Sequence, residues 1–365
     1  MENKKPHIAV IGLKGLPAFG GAATVGENLI DQLKNDYNFT VYSLSTHTKG
    51  ESIDGIKQIV FNGCKNTTIN TFLYYIKSLF HCLFFAKYDL IHLHHAESGF
   101  ITPLLRLKYK VVVTFHGVFF DKSDPKFGYS ANKFFRWSEK LNIKYASIVI
   151  SVSKTDANNC NLKYNTNIQY IPNGITIQNI GKNVFIESYM VFAASRIYEI
   201  KGLHLLLEAI RNNRVNQKLF IIGDLNHVPA YKKKIELLAR GLNVTFIGLI
   251  KNKQELFKII NDANLFIFPS LFEAMSMMLL EVVSLKTPVL ASKIPANTEI
   301  FNDQEMLFFE LEKENELQKK LSFALTNPEE MKIKAEKAFQ KLNEKYTWEI
   351  ISLKYNSIYK NLISN

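Results

Sequence analysis

The sequence has little cysteine. It contains three, Cys64, Cys82 and Cys160, spread widely over 365 residues. An odd number at irregular spacing gives neither a disulfide framework nor the paired spacing of a zinc site. The disulfide-rich secreted domains are therefore excluded, and we expect a cytoplasmic, reducing setting.

Long hydrophobic runs are also missing. The apolar run that follows Pro6 is interrupted at Lys14, so we expect no signal peptide. The most apolar segment, residues 71–86, includes Lys77 and His81. It is shorter than the roughly 20 residues that a membrane-spanning helix needs. This pattern predicts a packed helix.

Positive charge is in excess, with a net charge of +12. Residues 1–175 hold 20 Lys and Arg against 12 Asp and Glu, whereas the remainder holds 25 against 21. Two interpretations stay open: an anionic partner, such as the inner membrane surface or a phosphorylated lipid, or a composition rich in Lys and Asn throughout. The segment Val118–Lys144 mixes aromatic and basic residues, which suits either a membrane interface or a buried helix with a loop. No nucleic-acid module surrounds it, and we predict no nucleic-acid partner.

Twelve short apolar runs, seven before residue 175 and five after residue 188, predict strands and alternate with helical patterns. Alternation of this kind predicts an α/β fold in which helices cover both faces of a parallel sheet. The pattern is interrupted near residues 175–188 and then restarts. We therefore predict two tandem doubly wound domains, residues 1–176 and residues 185–345, with ligands bound where strand carboxyl ends face a central cleft. A final helix carries the aromatic stripe Trp348, Tyr355 and Tyr359.

Two acids stand out in the C-terminal half. Glu273 follows the turn after the strand LFIF, and Glu281 lies on the helix beyond it, on the side that we expect to be exposed. A carboxylate near a helix start can hold sugar or ribose hydroxyls, while the helix N-terminus suits a diphosphate. The alternative is that Glu273 caps the helix and Glu281 is solvated.

Cations and glycines mark other strand ends of this half. Arg196 follows the strand YMVFAAS, and Lys201 comes five residues later. Two cations at a strand end can neutralise a diphosphate. Gly223 follows the strand KLFII, where a ligand could approach the backbone.

The N-terminal half has weaker signals. Gly20 and Gly21 precede a helix that we expect to start near Thr24, but their spacing is not that of a dinucleotide fingerprint, and a plain turn is the commoner explanation of such a segment. His116 ends the strand VVVTF, at the edge where ligands bind. Alternation places His92 and His94 on one face of a strand, yet no second cluster supports a metal site, and we predict none.

In order along the chain, the segments GLPAFGG, HLHHAES, TFHG, VISVS, IPNG, IIGD, NVTFIG, FPSLFE, TPVLAS and PANTE resemble retaining glycosyltransferase family 4. The match spans nearly the whole chain. The resemblance implies a GT-B fold of two Rossmann-like domains, with the C-terminal helix, residues 346–365, packing back on the first domain. The start of the chain is particularly similar to bacterial enzymes that build cell-surface polysaccharides.

The resemblance also implies roles for particular residues. Arg196 and Lys201 would bind the diphosphate of a nucleotide-sugar donor, Glu281 the ribose, and Glu273 the transferred sugar, with His116 beside sugar and phosphate. The remaining donor contacts would come from Gly20, Gly21, Gly223, Ser276 and Met277. Family members need no metal or other cofactor. The acceptor would be a saccharide or a lipid-linked saccharide, and transfer would retain the anomeric configuration.

The sequence also departs from the family pattern. The usual glycine-rich segment between the acids is here AMSMMLL, and Ser195 replaces the glycine common before the arginine. These changes leave the identity of the sugar open. Two other functions remain alternatives: a GT-B-type sugar-nucleotide epimerase and a non-catalytic nucleotide-sugar binder.

Overall fold

The computed structural model describes residues 5–18, 21–48, 53, 55–64, 66–118, 129–181 and 188–364. The chain forms two compact units. Unit 1 comprises Met1–Gly174 and Trp348–Asn365, and unit 2 comprises Ile175–Thr347. Each unit carries its own sheet and its own buried apolar core.

Unit 1 is built on a parallel sheet of seven strands over its described residues, in the order β3-β2-β1-β4-β5-β6-β7. The strands are β1 (His7–Lys14), β2 (Asn38–Leu44), β3 (Ile56–Phe61), β4 (Leu90–His94), β5 (Lys110–Phe115), β6 (Ile148–Ser151) and β7 (Gln169–Tyr170). The central strands are buried on both faces, as in a sheet that helices cover on both sides. The strand order reverses between β1 and β4, which is where ligands bind in such sheets.

The helices of unit 1 are α1 (Gly21–Leu33), α2 (Thr67–Phe80), α3 (Thr102–Leu105), α4 (Tyr129–Tyr145), α5 (Lys154–Tyr164) and, at the chain's end, α13 (Trp348–Ser364). A π-helical turn, His81–Phe85, extends α2, and a 3-10 helix, Ala96–Phe100, follows β4. No helix among the described residues is long and apolar enough to cross a membrane.

Unit 2 is built on a six-stranded parallel sheet in its described part, in the order β10-β9-β8-β11-β12-β13. Its strands are β8 (Tyr189–Arg196), β9 (Lys218–Asp224), β10 (Val244–Gly248), β11 (Leu265–Phe268), β12 (Val289–Ser292) and β13 (Leu307–Phe309). Its helices are α6 (Leu203–Asn212), α7 (Pro229–Ala239), α8 (Lys253–Asn261), α9 (Met277–Ser284), α10 (Pro295–Thr298), α11 (Glu316–Thr326) and α12 (Pro328–Lys345), and a 3-10 helix, Glu199–Lys201, precedes α6. Here the order reverses between β8 and β11.

The predicted fold class is confirmed: two Rossmann-like units with parallel sheets are present. The twelve apolar runs that predicted strands all contain one. The sequence pattern missed β13, which has three residues between turns. A run this short carries too little alternation to be recognised.

The aromatic stripe of α13 is buried in unit 1. Trp348 is 1% exposed, and the Tyr359 hydroxyl hydrogen-bonds His92 Nδ1 at 2.6 Å. The Tyr37 ring packs edge-on against Tyr359, with centroids 5.6 Å apart. The last helix is therefore attached to the first sheet, although 173 residues of unit 2 separate it in sequence from the rest of unit 1.

Candidate functional site

The predicted donor residues of unit 2 gather where its strand order reverses. Arg196 is the last residue of β8 and Lys201 follows it, whereas Glu273 follows β11, the neighbouring strand on the other side of the reversal. Both loops leave the carboxyl edge of the sheet. The topology thus brings three of the predicted residues to one edge, although more than 70 residues of sequence separate Lys201 from Glu273.

An ion pair joins these two loops. Lys201 Nζ lies 2.5 Å from Glu273 Oε1, and the two side chains are 20% and 13% exposed. Ser270 Oγ donates to the same carboxylate oxygen at 2.9 Å. The Ser292 hydroxyl in turn holds the Ser270 carbonyl at 2.5 Å. Glu273 is therefore a positioned carboxylate, and it does not cap the helix that follows.

Gly202 allows this close approach of the two loops. Its φ is +70°, and a β-carbon there would lie 1.9 Å from the carbonyl oxygen of Pro269. Beside it, the Leu271 N–H donates to the Ile200 carbonyl at 2.7 Å. Only glycine fits this position without moving the backbone. The glycine after Lys201 is thus explained by packing at the site.

The N-terminus of α9 lies four residues beyond Glu273. Ser276 is the N-cap, and its hydroxyl accepts from the Leu279 N–H at 3.4 Å. Met277 is the first helical residue. The first N–H groups of a helix lack intrahelical partners and attract anions, so this end of α9 can accept phosphate oxygens.

Glu281 corrects one sequence prediction. We expected it on the exposed side of its helix, but it is buried, 7% exposed. The helix packs against both α8 and α12, which covers the side chain. Glu281 Oε1 accepts from Lys253 Nζ at 3.0 Å, and Lys253 itself is 55% exposed. A buried carboxylate held by a lysine that reaches in from the surface can exchange that partner for a ligand hydroxyl.

Arg196 and Gly223 lie on adjacent strands. Arg196 is exposed at the end of β8, opposite Asp224 in the register of β9. Gly223 has φ +143°, and a β-carbon there would lie 1.8 Å from the carbonyl oxygen of Ala194. Packing between the strands therefore explains Gly223 without a ligand, whereas the exposed guanidinium of Arg196 is available to an anion.

The predicted residues of unit 1 lie at the edge of its own sheet. His116 Nε2 is 3.0 Å from His94 Nδ1, and the two rings stack with an interplanar angle of 11°. Burial lowers the pKa of both side chains, and His92 and His95 are lowered to about 3, again chiefly by burial. The cluster is therefore uncharged at neutral pH. His116 is half-buried and can donate to, or accept from, a hydroxyl group.

His92 has a structural explanation. Its Nε2 contacts Thr114 Oγ1 at 2.8 Å and its Nδ1 contacts the Tyr359 hydroxyl, so both ring nitrogens are engaged. Its ring centroid lies 4.3 Å from that of His94, which confirms that the two share one face of β4. Over the residues described above, no group of three or more His, Cys, Asp or Glu is arranged to hold a metal ion.

The glycine prediction for unit 1 has a mixed outcome. Gly20 lies outside the described residues. Gly21 is the first residue of α1, which begins three residues earlier than the expected Thr24. Open space surrounds Gly21, and a β-carbon there would meet no atom within 4 Å. The protein's own packing therefore does not demand glycine at this position.

The sequence patterns missed two residues that complete these arrangements. Lys253 holds Glu281 although it stands 28 positions earlier on another helix, and nothing in its local pattern marks it. His94 is the second: β4 pairs with β5, which ends just before His116, and this places the two imidazoles side by side. The sequence pattern does not say which strands are neighbours in the sheet.

Comparisons with known proteins agree with this architecture. The family described as "Glycosyltransferase Family 4" matches residues 19–179, and "Glycosyl transferases group 1" matches residues 178–341. An uncharacterised glycosyltransferase of Methanocaldococcus jannaschii is 25% identical over 352 residues, 95% of this chain and 96% of that protein. The Escherichia coli UDP-Gal:α-D-GlcNAc-diphosphoundecaprenol α-1,3-galactosyltransferase is 25% identical over 325 residues, 81% of this chain and 82% of that one.

A solved structure shares the whole fold. Sucrose-phosphate synthase from Thermosynechococcus elongatus superposes with a TM-score of 0.83 at 19% identity, covering 99% of this chain and 100% of that one. That likeness shows the GT-B fold, and the two family matches, which together span residues 19–341, show that the protein is a glycosyltransferase. It belongs to the family 4-like glycosyltransferases, as the sequence predicted.

Proposed function

We propose that this glycosyltransferase moves a sugar from a nucleoside-diphosphate donor to a saccharide or lipid-linked saccharide acceptor in bacterial surface polysaccharide assembly. The name of the E. coli relative supports this choice, because it specifies a UDP-sugar donor and an acceptor linked to diphosphoundecaprenol. In this proposal the protein works in the cytoplasm, in peripheral contact with the inner membrane.

The Lys201–Glu273 pair carries the proposal. Lys201 lies between the end of β8 and α6, beside a carboxylate that Ser270 holds in place. A partly buried ammonium stabilises the charge that grows on a departing diphosphate more strongly than a solvated one would. Arg196 and the N-terminus of α9 add positive potential, and Glu273 is left to contact hydroxyls of the transferred sugar.

Glu281 and Lys253 would hold the nucleoside. A ribose diol donates hydrogen bonds to a carboxylate, and Glu281 lies one helix turn beyond Ser276 and Met277, which would hold the phosphates. Lys253 neutralises Glu281 until the donor arrives. Such an exchange avoids a buried charge without a partner in either state.

The reaction we propose retains the anomeric configuration. The bond between the anomeric carbon and the diphosphate oxygen breaks, and the positive charge spreads over the sugar ring. The acceptor hydroxyl attacks from the face that the diphosphate leaves, and its proton passes to the departing phosphate oxygen. Arg196 and Lys201 supply the positive charge that this step needs, so the proposal includes neither a metal nor another cofactor. His116, as a neutral imidazole, would orient a sugar hydroxyl or phosphate oxygen.

A thermal-shift screen tests the donor site. We expect one of the UDP-, GDP- or dTDP-sugars to raise the melting temperature of the native chain, with and without a chelator. Glu281→Ala should weaken this effect about tenfold or more in donor concentration, because a charged hydrogen bond is lost. Glu305→Ala is the matched control, since Glu305 is 13% exposed and pairs with Lys341 at 2.8 Å in the same unit.

Each outcome decides between functions. If no nucleotide sugar shifts the native chain, or if the two variants respond alike, the donor-site assignment fails. Donor binding without any transferred sugar would instead identify a nucleotide-sugar binder. Proton NMR of the glycosidic bond formed tests retention, and an inverted product contradicts that part of the proposal.

A further inference from the structure

Helix α2 packs on unit 1 through an inward side that is partly polar. The Tyr74 hydroxyl donates to the Tyr42 carbonyl at 2.9 Å and accepts from the Gly12 N–H at 2.7 Å. Ser78 is buried and donates to the Tyr74 carbonyl at 2.8 Å. Tyr74 and Leu79 also belong to the buried apolar core of the unit, so this side of the helix is fully covered. A surface helix normally carries polar residues opposite its buried side.

The outward side of α2 is apolar. We define the α2 face as six exposed side chains of α2 and its π-helical extension: Ile69, Phe72, Leu73, Phe80, Phe84 and Phe85. Phe84 is 68% exposed and Phe85 is 78% exposed. Six large apolar side chains on one helical stretch form a patch, which in soluble proteins marks an interaction surface.

Aromatic contacts extend this face. The Phe72 ring stacks on Phe100 with centroids 5.3 Å apart, Phe100 contacts Phe134 at 5.6 Å, and Phe134 contacts Trp137 at 5.8 Å. Trp137 is half exposed. Tryptophan at the border of an apolar surface is typical of proteins that lie in the membrane–water interface.

The charge around the α2 face is mainly positive. Lys77 lies between Leu73 and Phe80 on the same side of the helix, and Lys87 lies two residues after Phe85; both lysines are exposed. The sequence has no Asp or Glu between residues 55 and 88, and the carboxylate of Asp89, which follows, accepts from the His7 N–H at 2.6 Å. On α4, the acid Glu139 is fully buried, whereas Lys133 and Lys140 are exposed.

Lys108 stabilises the backbone at the C-terminal end of the α2 face. Lys108 Nζ donates to the carbonyls of Leu83 at 2.7 Å and Ala86 at 3.1 Å, at the end of the π-helical turn. These carbonyls lack helical partners, so the cation closes the helix end. Phe84 and Phe85 are therefore presented outward by a fixed backbone.

We propose that the α2 face is a docking surface for an anionic phospholipid bilayer. Apolar side chains would enter the interface while Lys77 and Lys87 contact lipid phosphates. A second copy of the chain fits less well, because a two-fold interface would bring Lys77 and Lys87 of both copies into one apolar interface, and the α2 face itself contains no acid to pair with them. This inference rests on the proposed function, which includes peripheral contact with the inner membrane and a lipid-linked acceptor, and it names the surface that makes that contact.

Vesicle co-sedimentation of the full chain tests the proposal. We expect binding to vesicles of phosphatidylglycerol and phosphatidylethanolamine, weakened by salt, and little binding to phosphatidylcholine. The variant Phe80→Ser/Phe84→Ser/Phe85→Ser should lose at least about tenfold in affinity. Lys77→Glu/Lys87→Glu should lose about tenfold for anionic vesicles only.

The matched control replaces three equally exposed apolar residues elsewhere, as Leu162→Ser/Leu237→Ser/Ile333→Ser, and should bind as the native chain does. The proposal is overturned if the native chain does not bind anionic vesicles at low salt. It is also overturned if the phenylalanine variant binds these vesicles as well as the control variant does. A dimer that the phenylalanine substitutions dissociate, without vesicle binding, would show that a second copy covers the face. Nucleotide-sugar thermal shifts measured on the same variants report whether the donor site is intact. A loss of vesicle binding can therefore be distinguished from failure of the donor site.

Discussion

The carboxyl edges of the two sheets share a construction and differ in chemistry. In each unit the strand order reverses at the centre, and a glycine with positive φ packs against the neighbouring loop: Gly12 against the His94 carbonyl and Gly202 against the Pro269 carbonyl. Unit 1 then carries stacked, uncharged imidazoles, whereas unit 2 carries the ion pair Lys201–Glu273.

Because of this difference, we expect unit 2 to bind the diphosphate and unit 1 to bind hydroxyl groups. Ionic side chains that are partly shielded from water interact strongly with a diphosphate. Uncharged imidazoles exchange hydrogen bonds with hydroxyl groups without adding a charge. The same fold can therefore provide an electrostatic site and a neutral polar site, and the residues after the strands decide which.

Among the substitutions that test this comparison, Lys201→Ala should have the largest effect, and the effect should be on the rate of sugar transfer. It removes the cation from the edge of unit 2 and leaves Glu273 buried without its partner. We expect sugar transfer to fall about 10²- to 10³-fold, as when one oxyanion donor is removed from an enzyme. The measurement is initial rate with the donor that the thermal-shift screen identifies.

Lys341→Ala is the control for that change. Lys341 and Glu305 form a pair of similar burial, 23% and 13% exposed, away from the sheet edge. Loss of the Lys341 side chain should leave the rate of sugar transfer within about twofold of the native rate. The free energy of unfolding should fall, because Glu305 loses its partner. Equal rate losses in the two variants would show that the ion pair at the edge has only a structural role.

The paired glycines test the shared construction. Gly202→Ala and Gly12→Ala place a β-carbon 1.9 Å and 2.5 Å from a carbonyl oxygen, at φ of +70° and +117°. We expect each to lower the free energy of unfolding by about 2–3 kcal/mol. Gly21→Ala, in open space, should change it little. Denaturant unfolding measures all three, and an unaffected Gly12→Ala would mean that the edge of unit 1 adjusts freely.

Acid should weaken unit 1 through its histidines. The pKa of His92 is about 3 in the folded chain against an ordinary 6.5, so below pH 6.5 the unfolded chain binds a proton that the folded chain does not. The free energy of unfolding therefore falls as pH drops from 6.5 towards 3, by about 1.4 kcal/mol per pH unit for each fully buried histidine.

Tryptophan fluorescence can follow this loss, because both tryptophans, Trp137 and Trp348, belong to unit 1. Replacing His92 with glutamine should reduce the slope between pH 6.5 and 3 by about 1.4 kcal/mol per pH unit, because the contributions of His94, His95 and His116 remain. If the slope of the variant equals that of the native chain, His92 does not contribute to it.

Tyr359→Phe should have the smallest effect. It removes the hydroxyl 2.6 Å from His92 Nδ1 and leaves a buried nitrogen without that partner. We expect a loss of about 1–2 kcal/mol in the free energy of unfolding. Tyr355→Phe should cost less, since that hydroxyl lies 3.4 Å from Thr114 Oγ1. Equal losses would show that the attachment of α13 does not depend on His92.

Much of the fold could be predicted from the sequence because it depends on local patterns. The apolar runs mark twelve strands, and the side chains that follow them, such as Arg196 and His116, reach the sheet edges by topology alone. The short strand β13 lacks such a pattern. The helix start after Glu273 was also ambiguous, because Ser276 and Glu273 are both plausible caps until the backbone is seen.

Burial was harder to predict than secondary structure. Glu281 lies on a helix whose covered side depends on where α8 and α12 pack. The same is true of α2, which is packed as the sequence predicted but also carries exposed apolar side chains on its outer side. Which side of a helix is covered is a property of its neighbours, and the residues of one helix do not specify them.

The sequence by itself determined the alternation of strands and helices, the family, and the residues that stand at strand ends. These follow from periodicity and order, which are properties of the chain. Only the tertiary structure decided that Lys201 pairs with Glu273, that Lys253 holds Glu281 and that His94 stacks on His116. Each of these contacts joins residues 22 to 72 positions apart, and only packing brings them within hydrogen-bonding distance.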